Sequence, residues 1–414
     1  MTCRIKNSVY ALLLALGSTA FFPGCTSNNN DTTNNTENPV TPRAQSAVIA
    51  TVAADFTSGA HAVFSTEAPF EGVTQQVPTI SDITVTCDGE YFYRIERFSG
   101  ENVSRFHITK PDEVLSQYST QDSSGIETAS SNPYGLVFVN ETKAYLLRYG
   151  SEKAWIVNPS AATEAEYKIG ELDLSAYSVD GSPNMSSGII VGDRLYLVLQ
   201  RLDQTFAPQD AYVAVFDTAT DTEIDTAPDS DGLKGILLPV KNPGDIEALA
   251  ANGLLYIQGT GRFGSSFSKR DPEYTGGIAT IDPANGYATQ LILDDGDAQS
   301  HPAGLFTGME IISENKGYLI GYAGFTDNTL FSFDPSSGTF DVDTNGLPVP
   351  VNGIKNTSVR SLAQDSKKQL WVSIADDAAP GVTVLNGADG SVIKDRIPTT
   401  LNPSTIAICD AAAQ

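Results

Sequence analysis

Short stretches in which apolar and polar residues alternate recur from about residue 46 to residue 409, separated by clusters of Gly, Pro, Asn and Asp. Alternation with period two places every second side chain on one face of an extended strand, and no stretch keeps the spacing of three and four that a helix needs. The chain therefore reads as all-β. Six strands carry an aromatic landmark, namely Tyr91, Tyr145, Tyr196, Tyr256, Tyr318 and Trp371, at intervals of 51 to 62 residues. An apolar strand precedes each, and before most of these lies a proline turn: Val77-Pro78, Asn132-Pro133, Ser182-Pro183, Asn242-Pro243, His301-Pro302 and, at the chain end, Asn402-Pro403, with Asn356-Thr357 the exception.

A third strand follows, often ending in a hairpin signal that starts at Asp217, Asp282, Asp334 or Asn386; in the last three a Gly follows at residue 286, 338 or 390, where the turn needs positive φ. Each unit thus reads as inner strand, aromatic strand, hairpin strand and outer strand. Four-stranded units of this period, stacked radially so that each covers its neighbour's face, predict a β-propeller. Six units are plain. The chain then ends with Asn402-Pro403 and one more inner strand to Cys409, and the missing outer strands are available in 45–79, with apolar runs at 47–53 and 61–64. The expectation is a seven-bladed β-propeller whose closing blade is built from both chain ends.

Arg4 and Lys6 precede an apolar run, 9–22, that is short for a membrane span, so residues 1–24 read as a cleaved leader. Its end, Phe22-Pro23-Gly24-Cys25, resembles the lipobox of bacterial lipoproteins: Gly24 and Cys25 fit, while Phe22 and Pro23 depart from it. The resemblance implies lipid attachment at Cys25, a polar tether over 25–44, the propeller over 45–410 and a tail over 411–414. Thr26 in place of an aspartate implies, by the sorting habit of Gram-negative lipoproteins, the outer membrane.

Charge narrows the partners. With 25 Lys and Arg against 50 Asp and Glu the net charge is −25, which repels a phosphate backbone, so nucleic acid is excluded as the main partner. Three histidines and four cysteines leave little for a transition-metal centre, and no cofactor is expected. Calcium is the open alternative, because Asp217, Asp221, Glu223, Asp225, Asp229 and Asp231 cluster before Gly232; Val240 stands where an EF-hand would close with Glu. A nucleophilic triad needs a histidine beside an activated serine, and His61, His107 and His301 show no such setting in the sequence. A binding protein is favoured over an enzyme.

Arginines recur just after the aromatic strands at Arg97, Arg148, Arg201 and Arg262, and the following loop adds Lys269 and Arg270. In a propeller these loops share a face with the proline turns, including His301. The group forms a candidate binding face for a small anionic ligand or an envelope protein. Cleavage removes Cys3 and lipidation uses Cys25, which leaves Cys87 and Cys409 as an even pair on the inner strands of the first and closing blades; a disulfide is expected.

The strand and turn 211–220, with Tyr212-Val213-Ala214-Val215 at its centre, resembles the YVTN or YncE-like family of bacterial β-propellers, and the resemblance extends over most of 80–409. It implies an envelope module that binds a ligand or another protein. A lactonase-like hydrolase and a structural component of an envelope complex are the alternatives.

Overall fold

The computed structural model describes residues 45–122, 130–227, 232–265 and 270–410. Among them there is no α-helix, and the strands form seven antiparallel sheets, the blades of a seven-bladed β-propeller. From its inner strand outward, blade 1 is Ile83–Asp88, Tyr91–Glu96, Asn102–His107 and Ser116–Ser119; in the same order, blade 2 is Pro133–Asn140, Lys143–Arg148, Lys153–Val157 and Lys168–Asp173. Blade 3 is Met185–Val191, Arg194–Leu199, Tyr212–Asp217 and Thr222–Glu223, with Ile236–Leu237 also on its third strand. Blade 4 is Pro243–Leu249, Leu254–Gly259, Gly277–Asp282 and Ala288–Leu293; blade 5 is Leu305–Ser313, Lys316–Gly324, Asp327–Asp334 and Thr339–Phe340. Blade 6 is Val359–Gln364, Gln369–Ile374, Gly381–Asn386 and Val392–Pro398.

Blade 7 closes the ring from both ends of the domain. Its inner strand, Asn402–Asp410, pairs antiparallel with Gln45–Val52, and Gly59–Ser65 and Gly72–Thr79 complete the sheet. The disulfide joins Cys87 to Cys409, with Cα atoms 5.1 Å apart, and so fastens the last strand to blade 1.

Period-two alternation explains the seams. In blade 3, Leu195, Leu197 and Leu199 pack toward blade 2, while Tyr196 and Val198 pack toward blade 4. One apolar cluster fills each of the seven seams, including that between blades 7 and 1. A fully buried Leu, Ile or Phe contributes about 1.5–3 kcal/mol, so the ring is held mainly by these seams.

The aromatic landmarks all lie in second strands. Tyr145 of blade 2 donates to Asp221 of blade 3 at 2.5 Å, and Tyr318 of blade 5 donates to Gly387 O of blade 6 at 2.9 Å, so each pins its neighbour's turn. The hairpin turns also match their sequence. Asp282, Asp334 and Asn386 accept the backbone N–H two residues on, and Gly286, Gly338 and Gly390 adopt φ of 62°, 62° and 74°. The proline turns are placed differently. Pro133 and Pro243 begin inner strands, Pro403 is the second residue of one, and Pro78 sits in the outer strand of blade 7. Inner and outer strands are sheet edges, where a missing N–H need not cost a ladder bond.

Candidate functional site

Loops that join second to third strands emerge on the same face as the connections between blades. This loop face carries the long segments 200–211, 260–276, 294–304 and 341–358. The strand Gln45–Val52 runs toward the loop 53–58 on that face, so Gln45 lies at the opposite face, where it donates to Asp410 Oδ1 at 2.6 Å.

The predicted cations have different fates. Arg97 donates through Nε to Asp82 at 2.8 Å, and its guanidinium lies 4.8 Å over the Tyr134 ring. Arg148 is 0% exposed: it donates to Thr120 O and Ser151 Oγ, both at 3.1 Å, and stacks 4.3 Å over Trp155. It is enclosed and not presented to solvent, because its guanidinium is held between blade 2 and the connector from blade 1. Arg201 donates to Tyr177 O at 3.0 Å and Asp210 O at 2.8 Å, and Arg262 pairs with Glu273 across its own loop. These arginines are engaged by carbonyls and carboxylates of the loops around them.

Arg270 and His301 are brought together. Both line a cleft of about 890 Å³ between blades 4 and 5, together with Asp271, Tyr274, Tyr322 and Asp327. His301 Nδ1 lies 2.8 Å from Asp297 O, and its ring stacks on Tyr274 at 4.1 Å between centroids. Arg270 also donates to Thr205 O in the loop of blade 3. In the connector behind His301, Asp295 is 2% exposed, and burial pushes its carboxyl up to about 7.

The sequence reading missed the aromatic residue on most of these loops. Phe98, Tyr149 and Phe263 directly follow Arg97, Arg148 and Arg262, and Phe56, Phe206 and Phe325 occupy the corresponding loops of blades 7, 3 and 5. Phe56, Phe98 and Phe206 are exposed by 43%, 40% and 54%. Carboxylates hold each turn rigid: Asp55 accepts from Thr57 N and Oγ1, Asp82 from Phe98 N, and Asp203 from Thr205 N and Ala207 N. Those hydrogen bonds hold the Asp55 and Asp203 carboxyls below the usual range, so both stay charged. Phe56 and Phe206 have φ of 57° and 59°, a left-handed conformation that costs about 1–3 kcal/mol for a bulky residue. Part of the signal was present in the sequence, as an aromatic directly after Arg97, Arg148 and Arg262; Phe56 and Phe206 have no arginine beside them.

The remaining predicted residues lie elsewhere. His107 ends a third strand in blade 1, and His61 is fully buried against Phe92 and Phe106. Asp217 pairs with Arg194, Asp221 with Lys143, and Glu223 accepts from Tyr177, so three carboxylates of the acidic segment face three different partners. Among the described residues no group of three or more His, Cys, Asp or Glu is placed to hold a metal ion. Residues 1–24, Cys25, the tether 25–44, Asp229, Asp231, Lys269 and the tail 411–414 lie outside the described residues.

No known family matches the chain, and no curated protein is similar to it. Solved structures are. A protein from Lactobacillus plantarum aligns with a TM-score of 0.57 at 11% identity, over 89% of this chain and 100% of its own. A chain of Kuenenia stuttgartiensis hydrazine synthase aligns at 0.53 and 14% identity, over 78% of this chain and 88% of its own. AztD of Citrobacter koseri aligns at 0.48 and 14% identity, over 90% of this chain and 99% of its own. Likeness at such identity shows the fold alone.

Proposed function

We propose that this β-propeller is a lipid-anchored outer-membrane protein of the YVTN kind that works by binding another envelope protein through its loop face. The observation that carries the reading is the exposure of Phe56, Phe98 and Phe206 on three rigid turns of one face. Exposed aromatics held in place cost stability when unbound and bury large apolar areas, with little ordering entropy, when bound. An anchor at Cys25 would join the domain at Gln45, on the opposite face, and leave the phenyl rings pointing away from the bilayer. Asp55 and Asp203, beside Phe56 and Phe206, fit a partner with an apolar patch bordered by basic residues.

A second reading is favoured by the cleft: Arg270 and His301 in its lining suit the anionic group of a small ligand. The lactonase-like alternative needs reactive carboxylates open to a substrate. Asp245, Glu247 and Glu310 on the inner strands are 2%, 5% and 3% exposed, which favours binding over hydrolysis.

The test is affinity capture from membranes with the parent protein and a Phe56→Ser, Phe98→Ser, Phe206→Ser variant. A partner that binds the parent and is lost from the variant, at unchanged melting temperature, supports the reading. Equal capture by both overturns it.

A further inference from the structure

We propose that Asp245 and Glu247 make the seam between blades 4 and 5 a proton-controlled latch, tight when the carboxyls are protonated and loosened when they ionise, with Glu310 adding its charge from the far side of the facing strand. Asp245 and Glu247 stand two residues apart on the inner strand of blade 4, hence on one side of it, and Glu310 stands on the inner strand of blade 5. Glu247 crosses the seam, where its Oε2 accepts Ile311 N–H at 2.8 Å. Its Oε1 is buried and, among the described residues, has no hydrogen-bond partner. Glu310 reaches blade 6 and accepts from Gln364 Nε2 at 2.7 Å; the same nitrogen donates to Ile311 O at 3.0 Å. Asp245 accepts only the N–H of Ile246, at 2.9 Å, among the bonds of the described residues.

The surroundings offer little compensation for charge. From blade 6, Lys368 acts on Glu247 and Glu310, but its ammonium donates to Gln364 Oε1 at 2.9 Å. From the second strand of blade 4, Tyr256 stands opposite Glu247, with its hydroxyl accepting from Asn252 at 3.0 Å. The inner strand of blade 3, Met185–Val191, brings no titratable side chain; its Ser186 donates to Pro243 O at 2.9 Å. Burial, then mutual repulsion, pushes Asp245 and Glu310 well above the ordinary carboxyl range, and burial pushes Glu247 up to about 7.

The sign follows from proton counting. An opened seam lets the carboxyls ionise near their ordinary values, so the closed seam holds more protons. Closure is fully favoured below the ordinary glutamate value of 4.5 and loses ground as pH rises through about 7. The strand Leu305–Ser313 connects latch to cleft. Leu305 lines the cleft, Phe306 O accepts from Gln258 of blade 4 at 2.5 Å, and Glu310 lies five residues on, about 16 Å along the strand. Loosening at Glu247 therefore loosens one wall of the cleft.

Hydrogen exchange followed by mass spectrometry at pH 5.5 and 8.5, corrected for intrinsic exchange, tests the latch without any partner or ligand. Protection over 243–249 and 305–313 should fall by more than about tenfold relative to the seam of blades 1 and 2, and Glu247→Gln and Glu310→Gln, tested singly, should each reduce that fall. An equal fall in parent and both variants, or no selective fall in the parent, overturns the proposal. Neither result depends on what the loop face binds.

Discussion

Cys87 and Cys409, 322 residues apart in sequence, are joined by a disulfide between the inner strands of the first and closing blades. The bond holds the C-terminal strand at the point where the ring would otherwise depend on the pairing of Asn402–Asp410 with Gln45–Val52 and on apolar packing. Lost freedom of the unfolded chain from so long a loop corresponds to about 6 kcal/mol. Cys87→Ser with Cys409→Ser should therefore lower the unfolding free energy by a few kcal/mol in denaturant titration. An unchanged midpoint would mean that strand pairing alone secures the ring.

Acid should attack the same seam. His61 in blade 7 is fully buried, 2.7 Å from Pro111 O and 3.3 Å from Arg94 Nη1. Burial, with Arg94 nearby, lowers its imidazole from 6.5 to about 4. The unfolded chain takes up that proton first, so the contribution is complete above pH 6.5 and is lost as pH falls toward 4, up to about 3 kcal/mol. Chemical denaturation at pH 7.5 and 4.5 should show a smaller acid loss in His61→Gln than in the parent; parallel losses would assign acid sensitivity to other groups.

The arginines separate by the same kind of measurement. Arg148→Met removes a buried guanidinium from Thr120 O, Ser151 and the Trp155 ring, and should cost about 3 kcal/mol. Arg270→Ala, at the cleft surface, should stay within about 0.5 kcal/mol. Comparable losses would contradict the division into loop-holding and cleft-facing arginines.

The blade plan was legible because turn chemistry and period-two alternation are local. Asp282, Asp334 and Asn386 cap their own turns, and the glycines at 286, 338 and 390 supply the positive φ, so those hairpins need no tertiary information. The ring closure was legible because Asn402-Pro403 repeats the start of a blade that the chain end does not complete. The role of the arginines was not. Whether Arg148 faces solvent or Trp155 depends on the packing of blade 2, which no spacing reveals. The carboxylates of the latch were equally hidden: Glu247 and Glu310 are 63 residues apart (310 − 247) and repel each other only when neighbouring inner strands align.

Binding through the loop face is tested most directly by photo-cross-linking in cells that make the protein. A benzophenone amino acid replaces either Phe206 on the loop face or Val191, 37% exposed beside a turn on the opposite face. Position 206 should give a discrete adduct that disappears when Phe56 and Phe98 are also changed to Ser, and position 191 should give none. Adducts from 191 alone, or from 206 regardless of Phe56 and Phe98, would contradict recognition through the loop face.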